Sequence, residues 1–343
     1  VTVTADRFTL GAKGKGVSIG RDFAADEPED QSGIIILGNK ARIEGNILNG
    51  DDFGFGSAPD IYELTGYAIV VEGTGATIRF NQIQSWNDGI LVDSPDVPAK
   101  SMISGNDING IGGNCIEVES GDRSSDKIEK NVVNFCNYDF GEPRDGIVLN
   151  YAGLEINSKP RVQKNIVQGV RNGIEIHNAA PNVTRNLVRW TGRDTDDNPE
   201  DGSGILLLSS VKGKVTNNLT TGTENALFLD ADSTGNTATG NTLIFTTVGV
   251  KIDSTDSSPL KNFSKNNIDA FDCPVQTEVT DYSVEPIVMK QNFWYDQRDT
   301  GNDNVPDLTG TGCENSDIAK GNGSLTFPAS RAEPNVVKFK SPI

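Results

Sequence analysis

The residues best suited to chemistry are one histidine and several carboxylates that occupy equivalent places in a repeat. His177 is the only histidine of the 343-residue chain. Glu175 precedes it by two positions in NGIEIH, and Glu117 and Glu119 stand at the matching places of an earlier segment, NCIEVE. A histidine in such a place can act as a general base or bind a substrate by hydrogen bonds. Two carboxylates with different pKa values can act as acid and base.

These residues belong to strands that recur along the chain. One strand type has the pattern Gly-Ile-x-Val, as in DGILVD (88–93) and DGIVLN (145–150). A second type places an apolar residue three positions before an asparagine. These asparagines are Asn46, Asn81, Asn106, Asn131, Asn165, Asn186, Asn218, Asn241, Asn266 and, less clearly, Asn292. A unit of two short strands cannot bury its apolar face alone, so the units must stack into a solenoid.

The strand period predicts which side chains face inward. Apolar pairs spaced by two, such as Ile90 and Val92, point to one side of a strand, so their neighbours point outward. No helix-length amphipathic stretch separates the strands, and parallel crossovers are right-handed. The sequence therefore predicts an all-β, right-handed, single-stranded parallel β-helix of about ten or more coils over residues 1–295. Residues 296–343 are predicted to form a C-terminal cap packed on the solenoid. We also expect a natural N-terminus, with any signal and cap, to precede residue 1.

The outward residues of the Gly-Ile strands are predicted to form two columns. The acidic column follows the apolar pair and contains Glu72, Asp93, Glu119, Asn150, His177, Leu208, Asp230 and Asp253. The central column is formed by the residues that stand between the two apolar residues of each pair. It contains Val70, Leu91, Glu117, Val148, Glu175, Leu206, Phe228 and Lys251. Neighbouring coils are about 4.8 Å apart, so stacked acids repel one another. A Ca²⁺ ion bound by Glu72, Asp93 and Glu119 would explain the stack. A catalytic carboxylate pair, or exposed acids screened by salt, would also explain it.

Composition and cysteines limit the partners and the compartment. The net charge is −18, which argues against nucleic acid and anionic membranes and permits neutral, cationic or cation-bridged ligands. No apolar run is long enough to span a membrane. The four cysteines could form two disulfides, for example Cys115–Cys136 and Cys273–Cys313, among three possible connectivities.

The Gly-Ile-x-Val and Ile-x-x-Asn repeats over roughly residues 30–295 resemble the right-handed parallel β-helix superfamily, the pectate-lyase-like fold. That resemblance implies a polysaccharide lyase, a glycoside hydrolase, an epimerase or a non-catalytic surface protein. It also implies that an arginine beside Ca²⁺ could serve as the base of a lyase. The signatures Asp-Pro-His and Gly-His-Gly are absent. Asn157 and His177 stand where alginate and chondroitin lyases of this fold carry Lys and Arg, so no catalytic set transfers as a whole.

The sequence thus gives a candidate site in the middle of the solenoid. Long insertions at 50–65, 137–144 with 151–160, and 191–202 are expected to form loops on the binding face. The catalytic candidates are His177, Glu175, Glu119, Asp145, Arg144 and Arg171. The substrate-binding candidates are Trp86, Asn150, Tyr151, Trp190 and Asp230, because exposed aromatic rings can stack on sugars, although such rings can also plug the ends of loops.

We therefore predict a secreted or cell-surface protein that binds a polysaccharide or oligosaccharide along the acidic column. A Ca²⁺-assisted lyase is favoured over an inverting glycoside hydrolase that would use Glu119 and Glu175. The alternative from another class is a non-catalytic glycan-binding or adhesin-like solenoid. The oligomeric state is not predicted.

Overall fold

The chain forms a solenoid of parallel β-strands. The computed structural model describes residues 1–12, 15–20, 32–50, 66–136, 145–152, 157–192, 202–253, 260–277, 288–290 and 293–294. Each full coil in this part of the chain contains three strands, and each strand pairs in parallel with the equivalent strand of the next coil. The predicted all-β, right-handed parallel β-helix is confirmed.

The strands fall into three sets, called here the first, second and third strands of a coil. The first strands are Thr2–Val3, Ile34–Leu37, Tyr67–Glu72, Asp88–Ser94, Ile116–Ser120, Ile147–Tyr151, Ile174–His177, Ser203–Leu208 and Asn225–Leu229. The second strands are Thr9–Leu10, Arg42–Glu44, Thr77–Arg79, Met102–Ser104, Lys127–Glu129, Arg161–Gln163, Asn182–Thr184, Lys214–Thr216, Asn236–Thr239, Leu260–Ser264 and Val288–Lys290. The third strands are Ser18–Gly20, Ile47–Asn49, Gln82–Gln84, Asp107–Ile111, Val132–Cys136, Ile166–Val170, Leu187–Thr191, Leu219–Thr221 and Phe293–Trp294.

Two long strands join the sets near the C-terminal end of the described region. Thr242–Ile252 and Asn267–Thr277 each run through the third position of one coil and the first position of the next. As a result the first and third strands belong to one 20-stranded sheet, while the second strands form an 11-stranded sheet. The predicted cap at 296–343 lies outside the described residues. No helix among the described residues is long and apolar enough to cross a membrane.

The third strand is the element that the sequence repeat did not predict. It begins directly after each ladder asparagine and is only two to five residues long where it stands alone. Its second residue points inward, as Ile83, Ile108 and Val133 do, and is buried. A further buried residue, where there is one, follows three positions later, as Ile111 follows Ile108. This spacing gives no period-two alternation, so the sequence repeat indicates only two strands joined by a turn.

Asparagines at the turn between the second and third strands form a continuous buried ladder. The backbone N–H and the Nδ2 of Asn131 both donate to Oδ1 of Asn165 at 3.0 Å, and Asn165 repeats this with Asn186. Each Nδ2 also donates to a backbone carbonyl, as Asn165 does to Ile128 at 2.9 Å. The same pattern runs from Asn46 to Asn266. These amides therefore satisfy the backbone groups that the turn would leave buried and unpaired.

A disulfide closes the coil that carries Glu117 and Glu119. Cys115 lies just before the first strand Ile116–Ser120, and Cys136 ends the third strand of the same coil, with the two Cα atoms 5.6 Å apart. Both side chains are fully buried. One of the pairings considered from the sequence is thus present. The other, Cys273–Cys313, lies outside the residues whose side chains are described.

Removing this disulfide should destabilise the protein measurably. The bond spans 21 residues, and a loop of that length corresponds to about 3 kcal/mol of lost unfolded-state entropy. Replacing both cysteines with alanine should therefore lower the free energy of unfolding in urea by about 3 kcal/mol. The reduced wild-type protein is the matched control and should unfold at a similar urea concentration. Equal stability of oxidised and reduced wild-type protein would contradict the prediction.

Candidate active site

The strand register confirms the predicted acidic column. Asp93 lies opposite Glu72 on one side and Glu119 on the other, and Asn150 lies between Glu119 and His177. The next coil places Leu208 beside His177. The column is therefore anionic over three successive coils, neutral at Asn150, and carries a histidine and then a leucine on the two coils that follow.

The central column has the predicted order, but it is not an exposed surface throughout. Glu117, Val148, Glu175 and Leu206 follow one another on successive coils. Val148 and Leu206 are only 5% and 1% exposed, and neither belongs to the inward-facing core. The outward face of the first strands is therefore covered at Val148 and Leu206, and the partly accessible positions of these middle coils are the glutamates.

Glu175 and His177 form a close pair at the centre of this face. Nε2 of His177 lies 2.6 Å from Oε1 of Glu175, and the two side chains are 29% and 12% exposed, respectively. Nδ2 of Asn172 donates to Oε2 of Glu175 at 3.1 Å. Burial alone would raise the pKa of Glu175, but the hydrogen bond and charge of His177, with help from Asn172 and Arg171, hold that pKa below its usual value. Glu175 is thus an oriented carboxylate that stays ionised.

Glu119 has the opposite tendency. Burial raises the pKa of Glu119, and the negative charges of Glu117 and Asp93 raise it further. Glu117 itself accepts hydrogen bonds from the hydroxyl of Tyr67 at 3.2 Å and from Nδ2 of Asn114 at 3.3 Å. Burial and the charge of Glu117 raise the pKa of Tyr67, so the phenol remains a neutral donor. Glu119 consequently holds a proton more readily than an unperturbed glutamate does.

The sequence analysis missed the residues that orient these glutamates. Asn114 and Asn172 each stand three positions before a glutamate and donate to its Oε2. Their Oδ1 atoms accept the backbone N–H groups of Asp145 and Ser203 in the following coils. The spacing Asn-x-x-Glu, present in both NCIE and NGIE, was the available signal.

Asp145 and Arg171 form an ion pair beside the glutamate–histidine pair. Nε and Nη2 of Arg171 donate to the two carboxylate oxygens of Asp145 at 3.0 and 2.8 Å. Oδ1 of Asp145 also accepts the backbone N–H of Asn172, and the residue is 3% exposed. Burial raises the pKa of Asp145, although the hydrogen bonds from Arg171 oppose the rise. The carboxylate of Asp145 thus caps the next coil, and the catalytic roles predicted for Asp145 and Arg171 stay predictions. Arg144 lies outside the described residues.

Two of the aromatic residues predicted to bind substrate through exposed rings are buried, so that prediction is wrong for them. Trp86 and Tyr151 are each 2% exposed and belong to the core. Tyr151 shares the inward side of its strand with Ile147 and Leu149, because residues two apart point the same way. Its hydroxyl donates to the buried Asp126 at 3.3 Å. Trp190, by contrast, is 57% exposed.

The remaining candidates differ in their distance from the glutamate–histidine pair. Asp230 accepts the backbone N–H of Ser209 with both carboxylate oxygens at 2.9 Å, which fixes it in a turn. Asn150 is half-buried between Glu119 and His177. Within the described ranges no three His, Cys, Asp or Glu side chains form a group that could hold a metal ion. Calcium at Glu72, Asp93 and Glu119 therefore stays a prediction, and the roles considered below do not need it.

A comparison with protein families agrees with the fold. Residues 67–243 match the family described as right handed beta helix region. A solved structure, the complex of XylC with xylose, is similar with a TM-score of 0.38 and 11% sequence identity, over 72% of this chain and 38% of that one. A search of curated proteins finds no significant match.

Proposed function

Because the chain belongs to the right-handed β-helix family, we propose that it is a carbohydrate-active enzyme that hydrolyses a neutral glycan across its first-strand face. The observation that carries the proposal is the 2.6 Å contact between Glu175 and His177, two coils away from a carboxyl group with a raised pKa. Neighbouring carboxyl groups whose environments push their pKa values apart are typical of an acid and a base in catalysis. The contrast supports Glu119 as the acid and Glu175 as the base.

The spacing of the two glutamates favours inversion over retention. Glu119 and Glu175 are two coils apart, which is about 10 Å along the solenoid axis, and they are also offset by two residues along the strands, because Glu119 shares the column of His177. Inverting glycosidases separate their carboxyl groups by about 6.5–9.5 Å so that a water fits beside the sugar, whereas retaining enzymes need about 5 Å. Side chains that lean toward each other across Asn150 can reach the inverting separation.

The step needs no covalent intermediate. Glu175, ionised, removes a proton from water, whose oxygen forms a bond to the anomeric carbon. The bond from that carbon to the glycosidic oxygen breaks, and the departing oxygen takes the proton of Glu119. His177 is a positioning residue that orients the Glu175 carboxylate. The anionic column from Glu72 to Glu119 would repel a uronate, so a neutral glycan is the better substrate class.

A disulfide also supports a location outside the reducing cytoplasm. Stable disulfides form in secreted proteins and oxidising compartments, and Cys115–Cys136 is buried within the coil of the proposed acid. We therefore propose that the protein is secreted or carried on the cell surface, where polysaccharides are available.

A panel of polysaccharides tests this function directly. The protein should release reducing ends from at least one neutral glycan, in the presence of EDTA, without new absorbance near 235 nm, the signal of an unsaturated lyase product. Absorbance that appears with a uronate glycan and disappears with EDTA would instead indicate the calcium-assisted lyase. Binding without any product would overturn both and leave a non-catalytic glycan-binding solenoid.

A further inference from the structure

A second surface of the solenoid carries a regular series of exposed aromatic rings. The position two residues after the inward residue of each third strand alternates between aromatic residues and glycine over five coils. In chain order these residues are Phe135, Gly169, Trp190, Gly222 and Phe245. The three aromatic side chains are 47%, 57% and 57% exposed. We name Phe135, Trp190 and Phe245 the aromatic ladder.

Backbone conformation fixes the direction of these rings. All five positions have positive φ, between 53° and 67°, a region that non-glycine residues seldom adopt and that is costly for bulky side chains. Each of the first two rings lies where a side chain of the next coil would stand. A Cβ atom on Gly169 would lie 2.6 Å from Cδ1 of Phe135, and one on Gly222 would lie 3.0 Å from Cδ1 of Trp190. Glycine on alternate coils therefore lets the rings lie over the neighbouring coil.

Trp190 is held further by its neighbours. The guanidinium of Arg189 lies 4.5 Å from the centre of the indole ring, close enough for a cation–π contact. Nε of Arg189 in turn donates a short hydrogen bond to Oε1 of Gln168 on the preceding coil. The indole is therefore pre-positioned while more than half exposed, which lowers the entropy that binding a ligand would cost.

The column beside the ladder is rich in neutral hydrogen-bonding groups. One residue before the ladder position, successive coils carry Asn49, Gln84, Asn109, Asn134, Gln168, Arg189, Thr221, Ile244 and Asp269. Arg189 and Asp269 are the charged members of this described column, in a chain whose net charge is −18. Amides and hydroxyls beside exposed rings suit the hydroxyl groups and apolar C–H faces of uncharged sugars.

The spacing of the rings selects the form of the glycan. Phe135, Trp190 and Phe245 are separated by two coils each, about 10 Å. An extended β-1,4-linked chain presents the same face of its pyranose rings at every second residue, with a repeat close to two coil rises. We propose that the aromatic ladder binds an extended, neutral β-1,4-linked glycan along the solenoid axis, apart from the glutamate–histidine site.

Affinity electrophoresis in gels containing a soluble β-1,4-glucan or glucomannan tests this inference. The wild-type protein should be retarded, and Trp190→Ala should weaken binding about tenfold or more, as expected when an aromatic anchor is lost. Trp190→Phe, which keeps a ring, should retain most of the retardation. Dextran, an α-linked neutral glycan, should retard none of the proteins.

Phe80→Ala is the matched control. Phe80 is also exposed, has a φ of 57° and lies over a glycine, Gly105, but it stands on the turn before the asparagine ladder. The Phe80→Ala variant should bind the glycan as strongly as the wild type does. Equal retardation of Trp190→Ala and wild type, or no retardation of the wild type by any β-1,4-glycan, would overturn the inference. The rings would then serve only to pack over the glycines of the neighbouring coils. Glu175→Gln should still bind, so failure of the catalytic proposal is distinguishable from failure of this one.

Discussion

Replacing Glu175 with glutamine should lower the rate of glycan hydrolysis by about 10²–10⁴-fold, the usual contribution of a general base. Glutamine keeps the size of the side chain and can still accept the hydrogen bond from Asn172, but it cannot remove a proton from water. Binding of the glycan should change little. Initial rates of reducing-end release at saturating substrate measure the effect.

The pH dependence of hydrolysis should identify which glutamate acts as the general acid and which as the general base. The pKa of Glu175 is lowered and that of Glu119 is raised. The rate should therefore rise with pH as Glu175 loses its proton and fall at higher pH as Glu119 loses its proton. Glu119→Gln should slow the reaction and remove the fall at high pH. His177→Ala removes a group that lowers the pKa of Glu175, so the acidic limb should move to higher pH. A purely structural His177 would lower the rate without moving that limb.

Glu129→Gln is the control for these variants. Glu129 lies on a second strand, away from the first-strand face, and accepts a hydrogen bond from Gln163. Its variant should hydrolyse the glycan at the wild-type rate with the wild-type pH profile. Wild-type activity in Glu175→Gln, or equal losses in Glu129→Gln and Glu175→Gln, would contradict the assignment of Glu175 as the base.

Replacing Asn165 with alanine should cost about 3 kcal/mol or more of stability, because three buried polar groups lose their hydrogen bond to its side chain. Those groups are the N–H and Nδ2 of Asn131 and the carbonyl of Ile128. Oδ1 of Asn186 keeps the backbone N–H of residue 165 as a donor. Each unpaired buried group costs about 1–3 kcal/mol. Urea unfolding followed by circular dichroism measures the change.

Asn182→Ala provides the comparison for the ladder. Asn182 begins a second strand, and its side chain is exposed, so alanine there should change the free energy of unfolding by no more than about 0.5 kcal/mol. If Asn165→Ala and Asn182→Ala destabilise the protein equally, the ladder does not hold the coils in the way the hydrogen bonds indicate.

Much of the architecture could be predicted because the same apolar pattern recurs in every repeat of the sequence. The period-two pattern of Ile90 and Val92 assigns inside and outside in every coil, and one register error would turn all of a strand's side chains to the wrong face. The columns that place Glu119 and His177 near each other follow from that register alone. The ladder asparagines were likewise predictable, since a buried turn needs side-chain partners for its backbone groups.

Exposure and pairing could not be predicted in the same way. The sequence predicted catalytic roles for Asp145 and Arg171, and the structure joins them in an ion pair. The sequence also predicted exposed, substrate-binding rings at Trp86 and Tyr151, whereas both rings are buried. Asp145 stands at a turn position where any short acceptor can cap the next coil, and a repeat pattern does not separate that role from a catalytic one.

The sequence by itself therefore determined the solenoid, its register and the order of residues in each outward column, because strand geometry converts spacing into position. The tertiary structure decided which of those residues meet. Asn172 and His177 contact Glu175 from within the same segment, whereas stacking places Asp93 of the preceding coil beside Glu119, and these contacts move the two pKa values in opposite directions. The burial of both glutamates and the contact between Asp93 and Glu119 depend on coils far apart in sequence, which no local pattern of residues records.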